Sequence, residues 1–422
     1  MDWSQAISDR DIALATLGPD GSVFVAMTTA LSTDGDSLIV VKLHPDDGHT
    51  VWTFQLRGPL RPTAVALLAD GSLAVAGYFL ATLDFDPSLG RDIHSPGATG
   101  RGAFVTRLTR DGGYGWTRTL ADQPDGNLAV AGTPDGGLAL GSVFSQSIDL
   151  DPTDGVDLRV SANGRGAPYL VRLSAAGSYL WGRTFDGSDP SPTFQGLTVD
   201  GTGNPAMAVS LIGSMDVDPG PGVQMIPSNG PAPWHVVVAL DGDGRYRWSH
   251  VLSIAADLTS RALQIVFASD GDLVAAGNFS GSADFDPMGA HHIFQAPTGA
   301  SEVFLTRLAT GTGAERFTGV VATLGSSELS VVAPVPKGGV CAGIAHDQPI
   351  DVDPGPGMII RANDGTGTSA LILALSSNGA YVSDAPISVV DGQLLAAGDA
   401  QAVAVSRSES TLTVIKYAPA RP

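Results

Sequence analysis

Leu-Asp-Phe-Asp-Pro at residues 83–87 (LDFDP) returns four times with small changes. The copies are IDLDP at 148–152, MDVDP at 215–219, ADFDP at 283–287 and IDVDP at 350–354. Their first aspartates, Asp84, Asp149, Asp216, Asp284 and Asp351, are spaced by 65, 67, 68 and 67 residues. Self-similarity at a fixed period of this size marks a repeat architecture.

Other features keep the same period. An Asp-Gly pair followed by an apolar run appears as DGSVFVA (20–26), DGSLAVAG (70–77), DGGLALG (135–141), DGDLVAAG (270–277) and DGQLLAAG (391–398). Weaker copies are DGTGNPAMAV (200–209) and KGGVCAG (337–343), seven in all. Asp-Gly between apolar runs is a strong hairpin signal. A third strand follows each long loop: SLIVVKL (37–43), AFVTRL (103–108), PYLVRL (168–173), HVVVAL (235–240), VFLTRL (303–308), ALILAL (370–375) and LTVIKY (412–417). A fourth follows a short turn: VWTFQL (51–56), GWTRTL (115–120), LWGRTF (180–185), RWSHVL (247–252), RFTGVV (316–321) and a degenerate YVSDAPI (381–387).

Four strands per unit at this period predict propeller blades. The seventh unit lacks a fourth strand before the chain stops, and DWSQAI at 2–7 matches the GWTRTL pattern. The expected fold is therefore an all-β, seven-bladed β-propeller of four-stranded blades, one domain over 1–422. Its N-terminal strand completes the last blade and removes two exposed sheet edges. The blades fall near 8–57, 58–120, 121–185, 186–252, 253–318, 319–384, and 385–417 with 1–7.

Composition agrees. The chain carries 53 glycines and 28 prolines, and only four of its 43 acids are glutamate. Aspartate, glycine and proline build turns, whereas glutamate and lysine favour helices. The formal net charge of -20 disfavours nucleic acid and anionic membrane surfaces as partners. A single cysteine, Cys341, excludes an internal disulfide framework. No apolar run is long enough for membrane insertion as a helix. MDWSQAISDR does not read as a signal peptide, so the chain is expected either to be cytoplasmic or to have lost an export signal.

At this point the chain resembles the bacterial seven-bladed β-propeller repeat proteins whose blades carry Asp-x-Asp-Pro. The closest copy is GNFSGSADFDP (277–287) followed by VFLTRL, and MDVDPGPG (215–222) and IDVDPGPG (350–357) carry the Gly-Pro-Gly tail. The first and seventh units depart from the pattern, having no Asp-x-Asp-Pro. The resemblance implies a secreted or surface-attached protein and says little about mechanism.

In a strand, residues i and i+2 share a side, about 6 to 7 Å apart. Asp84 and Asp86 then share one face, as do Asp149 and Asp151, Asp216 and Asp218, Asp284 and Asp286, and Asp351 and Asp353. The apolar residues between them face the other way. Paired like charges need compensation. The basic residue of the third strand does not supply it, because the units with Ala239 and Ala374 keep the acid pair. Two readings remain open: carboxylates accepting backbone N–H groups of the following turn, or ligands of Ca²⁺, which wants six to eight oxygens. The turn is the preferred reading, and the pairs are expected at the end of each second strand. Five copies argue against catalysis by the pairs.

The eight histidines are expected on surface loops, and Glu302, Glu315 and Glu328 as exposed loop charges. Trp52, Trp116, Trp181 and Trp248 are expected to pack structurally, and Trp234 to serve surface binding. No Gly-x-Ser-x-Gly elbow, His-Glu-x-x-His or phosphate loop occurs. The function expected is a non-catalytic binding or scaffold protein recognising a protein or glycan through rim loops. The rival is a polysaccharide lyase or glycosidase with one site in the central channel.

Overall fold

The computed structural model describes the chain except residues 1–2, 9, 30–36, 122–127, 165, 190, 228–232, 255–262, 364–367, 388–391, 399–400, 409–410 and 418–422. Asp391, Glu409 and Asp2 thus lie outside the described residues. The protein is all-β. Among the described residues, antiparallel pairing gives five four-stranded sheets, two six-stranded ones in which a four-stranded unit is extended by a short hairpin, and three separate two-stranded hairpins. Six four-stranded units are thus sequential meanders, and a seventh takes a strand from the other end of the chain. The fourth unit is typical: Thr193–Val199, Pro205–Leu211, Trp234–Leu240 and Tyr246–Ile254 lie side by side in chain order. The seventh consists of Gly392–Gly398, Gln401–Ser408 and Thr411–Tyr417, and Trp3–Ser8 pairs antiparallel with the last of these, Trp3 opposite Lys416.

The Asp-Gly pairs build the turns between first and second strands. In the second unit Leu68 donates its N–H to the carbonyl of Ser72 at 2.8 Å, and Gly71 donates to Leu68 at 2.9 Å. Gly71 sits at φ 82°, a left-handed conformation that glycine adopts without a Cβ penalty.

In the units whose burial is described, second and third strands are buried along most of their length, and Leu138–Phe144 and Trp234–Leu240 along all of it. That explains their continuous apolar runs: a sheet covered on both faces has no polar side to alternate with. The core lies between units. One cluster joins Val237 and Trp248 of the fourth unit to Phe267, Phe279 and Phe304 of the fifth. Others join the second to the third, the third to the fourth, and the fifth to the sixth.

First strands pack against first strands. Arg10–Leu17 neighbours Leu60–Leu67, and the succession runs through Ala129–Gly132, Thr193–Val199, Gln264–Phe267 and Ser327–Pro334 to Gly392–Gly398. Gly392–Gly398 in turn neighbours Arg10–Leu17. Four-stranded sheets packed face to face with first strands adjacent make a propeller-like arrangement.

Tryptophans rivet the outer strands. Trp52, Trp116, Trp181 and Trp248 donate their indole N–H to carbonyls of Arg110, Ala175, Gly242 and Thr310 at 3.2, 3.1, 2.9 and 2.7 Å. Each acceptor lies in the third-to-fourth-strand turn of the next unit. The same rings lie over Gly112, Gly177, Gly244 and Gly313, all at positive φ. A donor-only indole with a large apolar body suits such a joint.

Candidate functional site

The Asp-x-Asp-Pro segments do not end the second strands, contrary to the expectation from sequence. Leu73–Phe79 stops before Asp84, and Leu83–Asp84 forms a small separate hairpin with Ile93–His94. The same insertion recurs as Ser147–Asp149 with Leu158–Val160, Met215–Asp216 with Met225–Ile226, Ser282–Asp284 with Ile293–Gln295, and Ile350–Asp351 with Ile360–Arg361. Phe85, Leu150, Val217, Phe285 and Val352, the residues between the acids, are fully buried. The acids are half-buried or exposed on the opposite side.

The hairpins of the fifth and sixth units clasp two units, and the others show one side of the same clasp. The first strand of the hairpin meets the fourth strand of the preceding unit: Asp284 lies opposite Ser253, Asp351 opposite Ala322, and Asp216 donates its N–H to Asp186 O at 2.9 Å. The far side grips the fourth strand of the hairpin's own unit. The hydroxyls of Tyr114 and Tyr179 donate to Asp92 and Asp157. His292 Nδ1 lies 2.6 Å from Glu315 Oε1, and Arg361 Nη2 donates to Asp384 Oδ1 at 2.6 Å. Burial and then the bond to Asp92 push the Tyr114 phenol up from its ordinary value.

Within the hairpin the acids are used as acceptors. Oδ1 of Asp84, Asp149, Asp216 and Asp351 accepts two backbone N–H groups, two and eight residues ahead. The nearer donors, Asp86, Asp151, Asp218 and Asp353, lie at 3.2, 3.1, 3.1 and 3.1 Å. The farther ones, Asp92, Asp157, Gln224 and Ile359, lie at 2.8 Å each. The second acid caps the loop: Asp86, Asp151, Asp218 and Asp353 accept from Ser88, Thr153, Gly220 and Gly355. A Cβ on Gly90, Gly155, Gly222, Gly289 or Gly357 would collide with that second carboxylate, which explains the glycine of the tail.

The fifth unit varies the scheme. Asp284 Oδ1 accepts from Asp286 N at 3.1 Å, and Asp284 Oδ2 meets His291 Nδ1 at 2.7 Å. Asp286 Oδ2 accepts from Ala290 N at 2.9 Å.

One oxygen of each carboxylate is engaged by N–H donors, and among the described residues no third histidine, cysteine or acid converges on a pair. Ca²⁺ needs six to eight oxygens.

The third-strand cations find another partner, which sequence reasoning missed. Lys42 meets Asp20 at 3.7 Å, Arg107 meets Asp70, Arg172 meets Asp135 at 2.7 Å, and Arg307 meets Asp272 at 3.0 Å. These are acids of the Asp-Gly turns between first and second strands. The pattern was visible in sequence: the sixth unit has Lys337 in place of the turn acid and Ala374 in place of the strand cation, so acid and cation are lost together. In the fourth, where Ala239 replaces the cation, Asp200 accepts from Asn204 and Thr202 and meets Arg247 of the fourth strand at 3.8 Å. Burial would raise the carboxyl of Asp135, but bonds from Thr133, Arg172 and the Gly137 N–H hold it at about 2.

Several sequence expectations are corrected. Trp234 is buried at the start of a third strand and offers no surface. His235, His250 and His346 are buried in strands, not on loops. Glu302 is buried, and Glu315 is tied to His292 and Thr318. His291 and His292 face different acids, Asp284 and Glu315.

Beside charged groups such as Arg91 and His291, the hairpins leave apolar side chains in solvent. Ile93, Leu158, Met225, Ile293 and Ile360, nine residues beyond each first aspartate, are 45% to 61% exposed. Leu89, Val156, Val223, Met288 and Met358 stand exposed at the tips.

No protein-family profile and no curated protein matches the chain. Solved structures similar to it include a protein of unknown function from Bacteroides caccae, at 12% identity over 83% of this chain and 90% of that one, TM-score 0.39. Another, from Dyadobacter fermentans and also of unknown function, shares 10% identity over 98% of both chains, TM-score 0.38. The quinohemoprotein alcohol dehydrogenase of Comamonas testosteroni shares 10% identity over 93% of this chain and 78% of that one, TM-score 0.34. Likenesses this remote carry no functional argument.

Proposed function

We infer that the chain is a closed seven-bladed β-propeller acting as a non-catalytic binding or scaffold protein, secreted or surface-attached in a bacterium. Its partner is a protein taken on the outer hairpins. The closed reading is supported by the unbroken succession of first-strand neighbours and by the pairing of Trp3–Ser8 with Thr411–Tyr417. The Asp-x-Asp-Pro acids act in it as turn acceptors rather than Ca²⁺ ligands, a reading supported by the N–H groups that one oxygen of each carboxylate accepts.

One observation carries the binding role: five hairpins at the repeat period each hold two aliphatic side chains in solvent. Repeated exposed apolar groups beside carboxylates suit a protein surface with apolar and cationic groups. A glycan would be met by aromatic platforms, but the outer-strand tryptophans are committed to the joints between units. The described first strands are mostly small or aliphatic, as in LRPTAVAL and QIVF, which leaves little acid-base chemistry near the axis.

Protein and glycan arrays together with a polysaccharide-turnover screen test this. The parent should select protein ligands, and replacing Leu158, Met225, Ile293 and Ile360 together by serine should weaken them at least about tenfold, as lost contacts of 1.4 kcal/mol would. Turnover of a polymer, abolished by one first-strand substitution, would overturn it.

A further inference from the structure

The first unit has no Asp-x-Asp-Pro in its sequence, and it breaks the repeat elsewhere. Its third and fourth strands, Ser37–Leu43 and Thr50–Arg57, are joined by HPDDGH, residues 44–49. His44 and His49 stand at the two ends of this turn. The backbone pins them together: His44 donates its N–H to His49 O at 2.9 Å, and Gly48, at φ 72°, donates to His44 O at 3.1 Å. The two imidazoles stack with ring centres 4.7 Å apart and planes 19° from parallel. Asp47 lies against both, its Oδ1 2.6 Å from His49 Nδ1 and 3.3 Å from His44 Nδ1. One ligand atom of each residue lies within 4.8 Å of the other two, and no other described group of three such residues does so.

His44 Nδ1 accepts the Asp46 N–H at 3.4 Å and Asp47 Oδ1 the His49 N–H at 3.2 Å, but the turn does not need an imidazole for this. At the place of His44 the second, third and fourth units carry Thr109, Ser174 and Asp241. A short side-chain oxygen there accepts an N–H across the turn, from Gly113 at 3.0 Å, Ser178 at 3.1 Å and Arg245 at 2.8 Å. A repeat position that could be filled by any short acceptor holds imidazole only here, beside a second imidazole and a carboxylate. The acidic hairpins, by contrast, repeat five times, as structural devices do.

We propose that His44, Asp47 and His49 form a three-ligand site for a zinc-class divalent cation on this turn. Two imidazole nitrogens and one carboxylate oxygen suit Zn²⁺ and its first-row neighbours, whereas Ca²⁺ and Mg²⁺ prefer oxygen alone. Ligands at about 2.0 to 2.1 Å in a tetrahedron stand about 3.3 Å from one another. The His44–Asp47 separation already has that value. The closer His49–Asp47 pair holds a hydrogen bond, and the cation takes the place of its proton as the pair opens by about 0.7 Å and the stacked rings turn out of parallel so that a nitrogen of each points at it. All three side chains are exposed, His44 at 39%, His49 at 58% and Asp47 at 64%, so that movement meets no packed neighbour and the fourth position faces water.

The test is equilibrium dialysis and calorimetric titration of ZnCl₂ into the full-length, tag-free chain. One equivalent of zinc should bind near neutral pH with release of protons, and an excess of CaCl₂ should not displace it. His44→Ala and His49→Ala should each weaken binding at least about tenfold, since a ligand counts for no less than its supporting partners. His291→Ala with His292→Ala should leave it unchanged. Circular dichroism and melting curves establish that each variant is folded. No bound zinc in the parent, or zinc binding unchanged in folded H44A/H49A, would overturn the proposal.

Discussion

Removing the Asp216 carboxylate tests directly whether the acid pairs are turn acceptors. Its Oδ1 accepts from Asp218 N at 3.1 Å and from Gln224 N at 2.8 Å, closing a loop of nine residues. A hydrogen bond contributes about 1 kcal/mol net, so Asp216→Ala costs about 2 kcal/mol. Asp216→Asn keeps an amide oxygen at the same place and costs about half of that or less. For 422 residues the unfolding entropy is about 0.9 kcal/mol per degree, so the Ala variant melts about 2 °C lower and the Asn variant less than about 1 °C lower. Hydrogen exchange reads the effect more sharply. The Gln224 amide should exchange up to about 30-fold faster in the Ala variant, the factor that 2 kcal/mol represents. A calcium site would behave otherwise, since loss of one charge cripples it and EGTA strips the parent. Each saturated site at 100 times its dissociation constant adds about 2.7 kcal/mol. Equal damage by Asn and Ala, together with a fall in the parent's melting temperature on adding EGTA, would refute the turn account.

Other consequences can be measured on the same scale. His235 is buried, neither ring nitrogen has a hydrogen-bond partner among the described residues, and burial lowers its pKa from 6.5 to about 4. The unfolded chain therefore takes this proton first as pH falls. Stability is undiminished above pH 6.5 and lost progressively toward pH 4, by about 3 kcal/mol at the end. Urea midpoints between pH 7.5 and 4 should show that slope, and His235→Leu should flatten it. A Cβ on Gly244, at φ 75°, would stand 3.0 Å from the Trp181 ring, so Gly244→Ala should cost about 1 to 3 kcal/mol in urea unfolding. Asp135 lies well below its ordinary value. It therefore gives stability that is present above about pH 4 and lost as pH falls toward 2. Arg172→Met should remove most of that acid sensitivity, worth under about 1 kcal/mol because the carboxylate is largely exposed.

Much of this architecture was legible in the chain because it is local. Asp-Gly pairs write the turns, and continuous apolar runs such as HVVVAL write strands covered on both faces. The hairpins were missed for a physical reason. Their closing bond goes to a backbone N–H eight residues on, where Asp92, Asp157, Gln224 and Ile359 share no side-chain chemistry. An N–H is offered by every residue but proline, so no motif marks it. The tryptophan joints also reach across units, and their signal is a glycine about one repeat further on. The buried histidines could have been read: His235 begins an unbroken apolar run, where a surface loop is the less natural assignment. The turn holding His44, Asp47 and His49 escaped because only His291 and His292 are adjacent in sequence, while a tight turn brings residues five apart together.

The central claim is that the seven units close into one ring through the two ends of the chain. Ala6 and Thr413 are opposed in the antiparallel pair that would make the closure. The triple variant Ala6→Cys, Thr413→Cys and Cys341→Ala, which removes the native thiol, reports it directly. Mild oxidation followed by peptide mass spectrometry should find a disulfide joining positions 6 and 413 within single chains, independent of protein concentration. Failure to form it, or a disulfide only between chains, would contradict the closed ring.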